Sequence, residues 1–63
     1  MLRELSEGVF VETGLEGGNI GLILTERGAV MIDTPMLPLE AREWHLKLLQ
    51  MGIDRIYAIV NTD

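Results

Sequence analysis

Apolar and polar positions alternate along this chain in two rhythms. Through the first half the apolar stretches are short and rich in β-branched residues, and glycine or acidic residues interrupt them every few positions. Val9-Phe10-Val11-Glu12-Thr13 reads as a strand, and Gly14-Leu15-Glu16-Gly17-Gly18 as the flexible connection after it. Asn19 to Thr25, with Ile20-Gly21-Leu22-Ile23-Leu24 at its centre, reads as a second strand. Glu26-Arg27-Gly28 predicts a tight turn, with Gly28 where φ is positive. Ala29-Val30-Met31-Ile32 is a third strand that runs into Asp33-Thr34-Pro35. These strands predict an antiparallel meander, with a short lead-in strand at Leu2 to Leu5.

The rhythm then changes. From Pro38 to Met51 the apolar residues Ala41, Trp44, Leu48 and Met51 recur at spacings of three and four, which predicts an amphipathic helix. Glu40, Glu43, Lys47 and Gln50 fall on its other side, and Glu43 and Lys47 have the spacing of an i,i+4 ion pair. Pro38 suits the first turn, where a missing N–H costs nothing, and Gly52 suits the residue just past the end. Ile56-Tyr57-Ala58-Ile59-Val60 follows as an unbroken apolar run, the pattern of a parallel strand covered on both faces. Strand, helix and strand in that order predict a right-handed βαβ crossover. The expected class is therefore α/β, an antiparallel meander running into a βαβ unit.

This arrangement leaves a shortage of cover. Ile20–Leu24, Ala29–Ile32 and Ile56–Val60 read as apolar on both faces, and one helix of about 14 residues, roughly 21 Å long, shields only one side of a sheet. A strand edge is also left open to pairing. The reading is of an incomplete layer structure, completed by other residues of the same protein, by a second chain, or by further copies of this one.

Composition narrows the field. At 63 residues the chain makes one domain at most, and a domain of this size is marginally stable without help. There is no cysteine, so neither disulfides nor thiolate chemistry are available. Ten acidic residues against five scattered basic ones give a net charge of −5, which repels a phosphate backbone and argues against nucleic-acid binding. No apolar run is long enough to span a bilayer, and the start lacks a signal-peptide core. The expectation is a cytoplasmic protein with neither membrane nor nucleic-acid partners.

Ligands in open α/β sheets gather beyond the carboxyl ends of the strands. Asp33-Thr34 and Asn61-Thr62-Asp63 stand at two such ends, and parallel neighbouring strands would bring them to one rim. Oxygen donors meeting there suit a hard cation or a hydrogen-bond network around one. Spacing alone favours the plainer alternative, in which Asp33 and Thr34 cap the loop before the helix. Other candidates fall away. His45 is the only histidine and reads as a helical surface or packing residue; Trp44, Met31, Met36 and Met51 read as core. The glycines from Gly14 to Gly21 match no phosphate-binding fingerprint, and Ser6, the only serine, lacks the partners of a triad.

Gly8-Val9-Phe10-Val11, Asn19-Ile20-Gly21-Leu22-Ile23-Leu24 and above all Gly28-Ala29-Val30-Met31-Ile32-Asp33-Thr34 resemble the opening of the metallo-β-lactamase superfamily. The helix, Gly52-Ile53-Asp54 and the run from Ile56 to Thr62 continue the resemblance in the same order, so it covers almost the whole chain. It implies that residues 1–63 are the amino-terminal, incomplete part of a domain whose full form is an αββα sandwich. It also implies a parent protein that is a metal-dependent hydrolase using zinc or another divalent metal. Asp33 matches the family's buried organiser of the metal-site loop, which is usually not a ligand, and Thr62 matches the residue that leads into the family's His-x-His-x-Asp-His motif. Asp63 stands where that motif has its first histidine, so a carboxylate ligand there would alter metal preference. On this reading the chain alone binds no metal and is catalytically inactive. The alternative is a self-associating or partner-binding structural module without catalysis.

Overall fold

Residues 1–62 are described by a computed structural model, in which five strands and one helix follow the order β1 (Leu2–Ser6), β2 (Val9–Glu12), β3 (Ile20–Thr25), β4 (Gly28–Ile32), α1 (Pro38–Gln50) and β5 (Ile56–Val60). The strands form one mixed sheet in sequence order. β1 to β4 pair antiparallel, and β5 joins β4 in parallel. The meander, the lead-in strand and the parallel last strand thus match the reading of the sequence, with β1 reaching one residue further, to Ser6.

Local chemistry accounts for the joints. Thr25 pairs with Gly28, leaving Glu26 and Arg27 as a two-residue hairpin turn, and Gly28 has φ +128. A Cβ on Gly28 would lie 2.9 Å from the Arg55 carbonyl oxygen, so close approach as well as φ requires glycine there. The helix begins at Pro38 and ends in paired bonds, from the Gly52 N–H to the Leu49 carbonyl and from the Ile53 N–H to the Leu48 carbonyl, both 3.0 Å. With Gly52 at φ +81 this is the Schellman arrangement. Its apolar contact is present too: Ile53 packs on the cluster that contains Leu48.

One face of the sheet meets α1. Ile20, Leu22, Ala29 and Met31 form the core with Trp44 and Leu48, and Leu2, Phe10, Leu15, Met51 and Ile53 pack around them. Four expectations need correction. Met36 is 77% exposed and belongs to the loop before α1, not to the core. Ala41 is also exposed, so the buried stripe of the helix is Trp44 and Leu48, continued by the half-buried Met51 just past its end. Lys47 turns from Glu43 to reach Glu12, its Nζ 2.7 Å from Oε1. Finally, β5 is an edge strand and is covered on neither face: Ile56, Tyr57, Ile59 and Val60 are 40–55% exposed. The reason is width. A helix about 10 Å across, set over the middle strands, cannot also cover the edge of a sheet whose outer strand axes lie roughly 19 Å apart.

Residues paired across strands share a face, so the register also defines the opposite side of the sheet. Val9, Ile23, Val30 and Ala58 form one row across β2 to β5, and Val11, Gly21, Ile32 and Val60 form the next. This face is apolar, and within the strands the register brings one charged residue to it, Arg3 beside Val11. No helix of the described residues is long and apolar enough to cross a membrane.

Candidate functional site

The parallel pairing of β4 and β5 brings their carboxyl ends together, and the two polar segments predicted to share a rim do so. Asp33 follows β4 directly, and its backbone N–H donates to the Val60 carbonyl at 2.8 Å, extending the β4–β5 ladder by one bond. Its φ is +65, in the left-handed region, where Asp and Asn are the side chains that most readily replace glycine. This turn re-aims the carboxylate across the sheet end. Oδ1 accepts the Thr62 backbone N–H at 2.9 Å, and Oδ2 accepts the Thr62 hydroxyl at 2.7 Å. The Thr62 hydroxyl and then its backbone N–H hold the Asp33 carboxyl below its ordinary value of 3.8, so it stays ionised through the neutral range.

Asp33, Thr34, Asn61 and Thr62, with Gly17 and Met36, line a recess of about 340 Å³. A larger recess of about 410 Å³ lies at the other end of β4, between the Glu26–Gly28 turn and the loop from Met51 to Arg55. Size does not make it the better candidate. Its Glu26, Arg27, Asp54 and Arg55 are loop charges of both signs, whereas the smaller recess holds the strand-end groups and the fixed carboxylate.

Neither Asp33 nor Thr34 caps the helix: the capping position is Leu37, with no side-chain bond. Asp33 is half-buried, where the resemblance implies a buried residue. Asp63 lies outside the described residues. His45 is exposed on α1, away from the core cluster. Among the described residues no three His, Cys, Asp or Glu side chains come together as a metal-binding group. Among the described residues, the oxygen donors at this rim are those of Asp33, Thr34, Asn61 and Thr62, and both Asp33 oxygens are engaged by Thr62.

Sequence reasoning missed the other organised carboxylate. Glu12 is 2% exposed at the end of β2. Its Oε1 accepts from Lys47, and its Oε2 accepts from the Gly14 N–H at 3.0 Å and from the α-amine of Met1. Burial pushes this carboxyl up, but the bonds from Lys47, the α-amine and Gly14 outweigh it and bring it down to about 2. A signal was available. Strand alternation puts Glu12 on the same face as Phe10, so a carboxylate was bound to enter the core side and to need partners there.

No protein-family profile, curated protein or solved structure matches this chain.

Proposed function

We propose that this chain is the scaffold portion of a metal-dependent hydrolase domain of metallo-β-lactamase type. It supplies a sheet and a rim-setting carboxylate, while the metal ligands come from elsewhere in the parent protein or from a second chain. The observation that carries this reading is the Asp33–Thr62 clamp: a carboxylate turned by a left-handed backbone to join the ends of two parallel strands at the rim where ligands gather. The clamp holds Asn61 and Thr62 in place, so a ligand-bearing segment that follows them would leave the sheet in a set direction. Asp33 has both oxygens engaged by Thr62, which suits a positioning residue better than a direct ligand.

The uncovered sheet face supports the same proposal. A second sheet laid on Val9, Val11, Ile23, Val30, Ile32 and Val60, with a helix outside it, would complete an αββα sandwich, and a right-handed β4–α1–β5 crossover is the connection expected in it. Zinc or another divalent metal would then sit beyond the strand ends, where it would polarise a scissile bond and supply hydroxide from bound water.

The test uses the native polypeptide that contains these residues, isolated from its source. It is expected to turn over a lactam, thioester or phosphodiester in a chelator-sensitive way, and Asp33→Ala is expected to lower that activity at least about tenfold. The 63-residue chain by itself is expected to give no turnover with or without added zinc. Metal-dependent turnover by the short chain, a native polypeptide without hydrolase activity, or an Asp33→Ala form with full activity would overturn the proposal.

A further inference from the structure

The recess beyond the ends of β4 and β5 has an uneven lining. Of Gly17, Asp33, Thr34, Met36, Asn61 and Thr62, only Asp33 ionises, and both its oxygens are engaged by Thr62. Among the described residues no basic side chain lines it. Arg27 and Arg55 line the other recess, at the amino end of β4, and Lys47 is engaged by Glu12. Arg3 stands on β1, three places from β4 in the sheet, and Arg42, two residues from the buried Trp44, falls on the solvent side of α1. Met36 is the one large apolar side chain of the lining. A Cβ on Gly17 would lie 3.2 Å from the Met36 Cβ, so the methionine stem rests on the Gly17 backbone while its thioether end stands free. Pro35 and Pro38 fix φ on either side of it. Leu37 and Leu39, 42% and 68% exposed, follow along the chain and carry apolar surface onto the first turn of α1. Isolated exposed apolar side chains are ordinary, but three within four positions, at the rim where ligands gather, form a lip.

We propose that this lip is a substrate-binding surface with Met36 as its contact residue, and that the substrate is an ester or thioester with an uncharged, apolar acyl chain. The inference rests on the hydrolase reading above and narrows its substrate class. An anionic group placed in the recess meets a fixed carboxylate and no cation, on a chain that carries −5 overall. An acyl chain meets instead an unbranched, polarizable thioether that adapts to irregular apolar shapes, and contact removes both from water. In the reaction, water adds to the acyl carbon and the bond from that carbon to the ester oxygen or thioester sulfur breaks. The acyl group departs as a carboxylate. The leaving oxygen or sulfur takes one proton of the water, and the other goes to solvent. The product is then an anion beside ionised Asp33, so charge favours its release.

The test uses the native polypeptide, first for binding and then for turnover. The binding probe is a ketone analogue of a hexanoyl thioester, with a methylene in place of the sulfur, added to protein carrying isotope-labelled methionine methyl groups. The Met36 methyl signal is expected to shift on titration while that of Met31, in the core, stays in place. Dimethyl phosphate is expected to move neither. For turnover, acetyl, hexanoyl and adipoyl thioesters of N-acetylcysteamine share one scissile bond, and the adipoyl chain matches the hexanoyl in length but ends in a carboxylate. From acetyl to hexanoyl kcat/KM is expected to rise at least about tenfold, and from hexanoyl to adipoyl to fall by a similar factor. Met36→Ser is expected to cut the hexanoyl-to-acetyl ratio at least about threefold, and Met36→Lys to narrow the gap between hexanoyl and adipoyl by about as much.

Equal kcat/KM for acetyl and hexanoyl, or an adipoyl thioester turned over as well as the hexanoyl one, overturns the inference and leaves the hydrolase reading in place. Activity confined to phosphodiesters does the same. A Met36 methyl signal that stays put with the ketone analogue overturns the inference whatever the activity. A complete absence of turnover overturns the hydrolase reading, and the binding surface then stands only if the Met36 signal moves with the ketone and not with dimethyl phosphate.

Discussion

Glu12 and Asp33 are both carboxylates that end a strand and hold a distant segment, yet one is sunk in the core side and the other stands at the rim. Glu12 gathers three partners from three parts of the chain, the α-amine, the Gly14 N–H and Lys47 of the helix, and is almost wholly removed from water. Asp33 spends both oxygens on one residue, Thr62, in a solvent-facing recess. Glu12 therefore serves the fold, and Asp33 the rim. A buried carboxylate stabilises strongly when fully partnered and costs heavily when it is not. A half-buried one at a solvent-facing rim contributes less to stability, because water competes for its bonds, but it can still set direction.

The largest expected effect is therefore at Glu12. Glu12→Gln is expected to lower unfolding stability by about 3 kcal/mol, because it takes the buried charge away from the Lys47 amine and the α-amine that bind it. The shift of the urea midpoint relative to the unmodified chain measures this. Lys47→Met, which leaves Glu12 its α-amine and Gly14 bonds, is expected to cost less, about 1–2 kcal/mol. A loss equal to that of Glu12→Gln would show that Lys47 alone holds the carboxylate.

Acid should separate the two carboxylates next. The Glu12 carboxyl is held down to about 2 from its ordinary 4.5, so its stabilisation is present in full above about pH 4.5 and fades as pH falls towards 2. In Glu12→Gln the acid-side slope of stability over that window should largely flatten. Asp33 is lowered as well, so its contribution has the same sign, present above 3.8 and lost below it; half-buried and bonded only to Thr62, it should alter the unfolding curve much less. Asp33→Asn is accordingly expected to shift the thermal midpoint far less than Glu12→Gln does. A larger shift would make Asp33 a fold-holding residue.

Much of this arrangement was legible in the sequence, for local reasons. Strand boundaries followed from β-branched runs and turn glycines, and the helix from the spacing of Ala41, Trp44, Leu48 and Met51 between Pro38 and Gly52, although Ala41 proves exposed. The meeting of Asp33 with Thr62 followed from topology, because parallel neighbours place their carboxyl ends together. What stayed hidden depends on position across the sheet rather than along the chain. Ile56–Val60 has the composition of a doubly covered strand, and nothing in its own residues says that the helix lies over β2 to β4 instead. Lys47 reads as a partner for Glu43 because the helix is local, while Glu12 reaches it only through folding. The left-handed φ of Asp33 was likewise invisible, since an aspartate before Thr34-Pro35 reads as an ordinary turn residue.

The Asp33–Thr62 clamp sets the rim, and a carboxyl-detected NMR titration of Asp33 in the unmodified chain and in Thr62→Val tests it. With the hydroxyl in place the Asp33 midpoint is expected below 3.8, and in Thr62→Val it is expected to move back up towards that value while the Glu12 midpoint stays near 2. The same Asp33 midpoint in both proteins would contradict the clamp and, with it, the rim built on it.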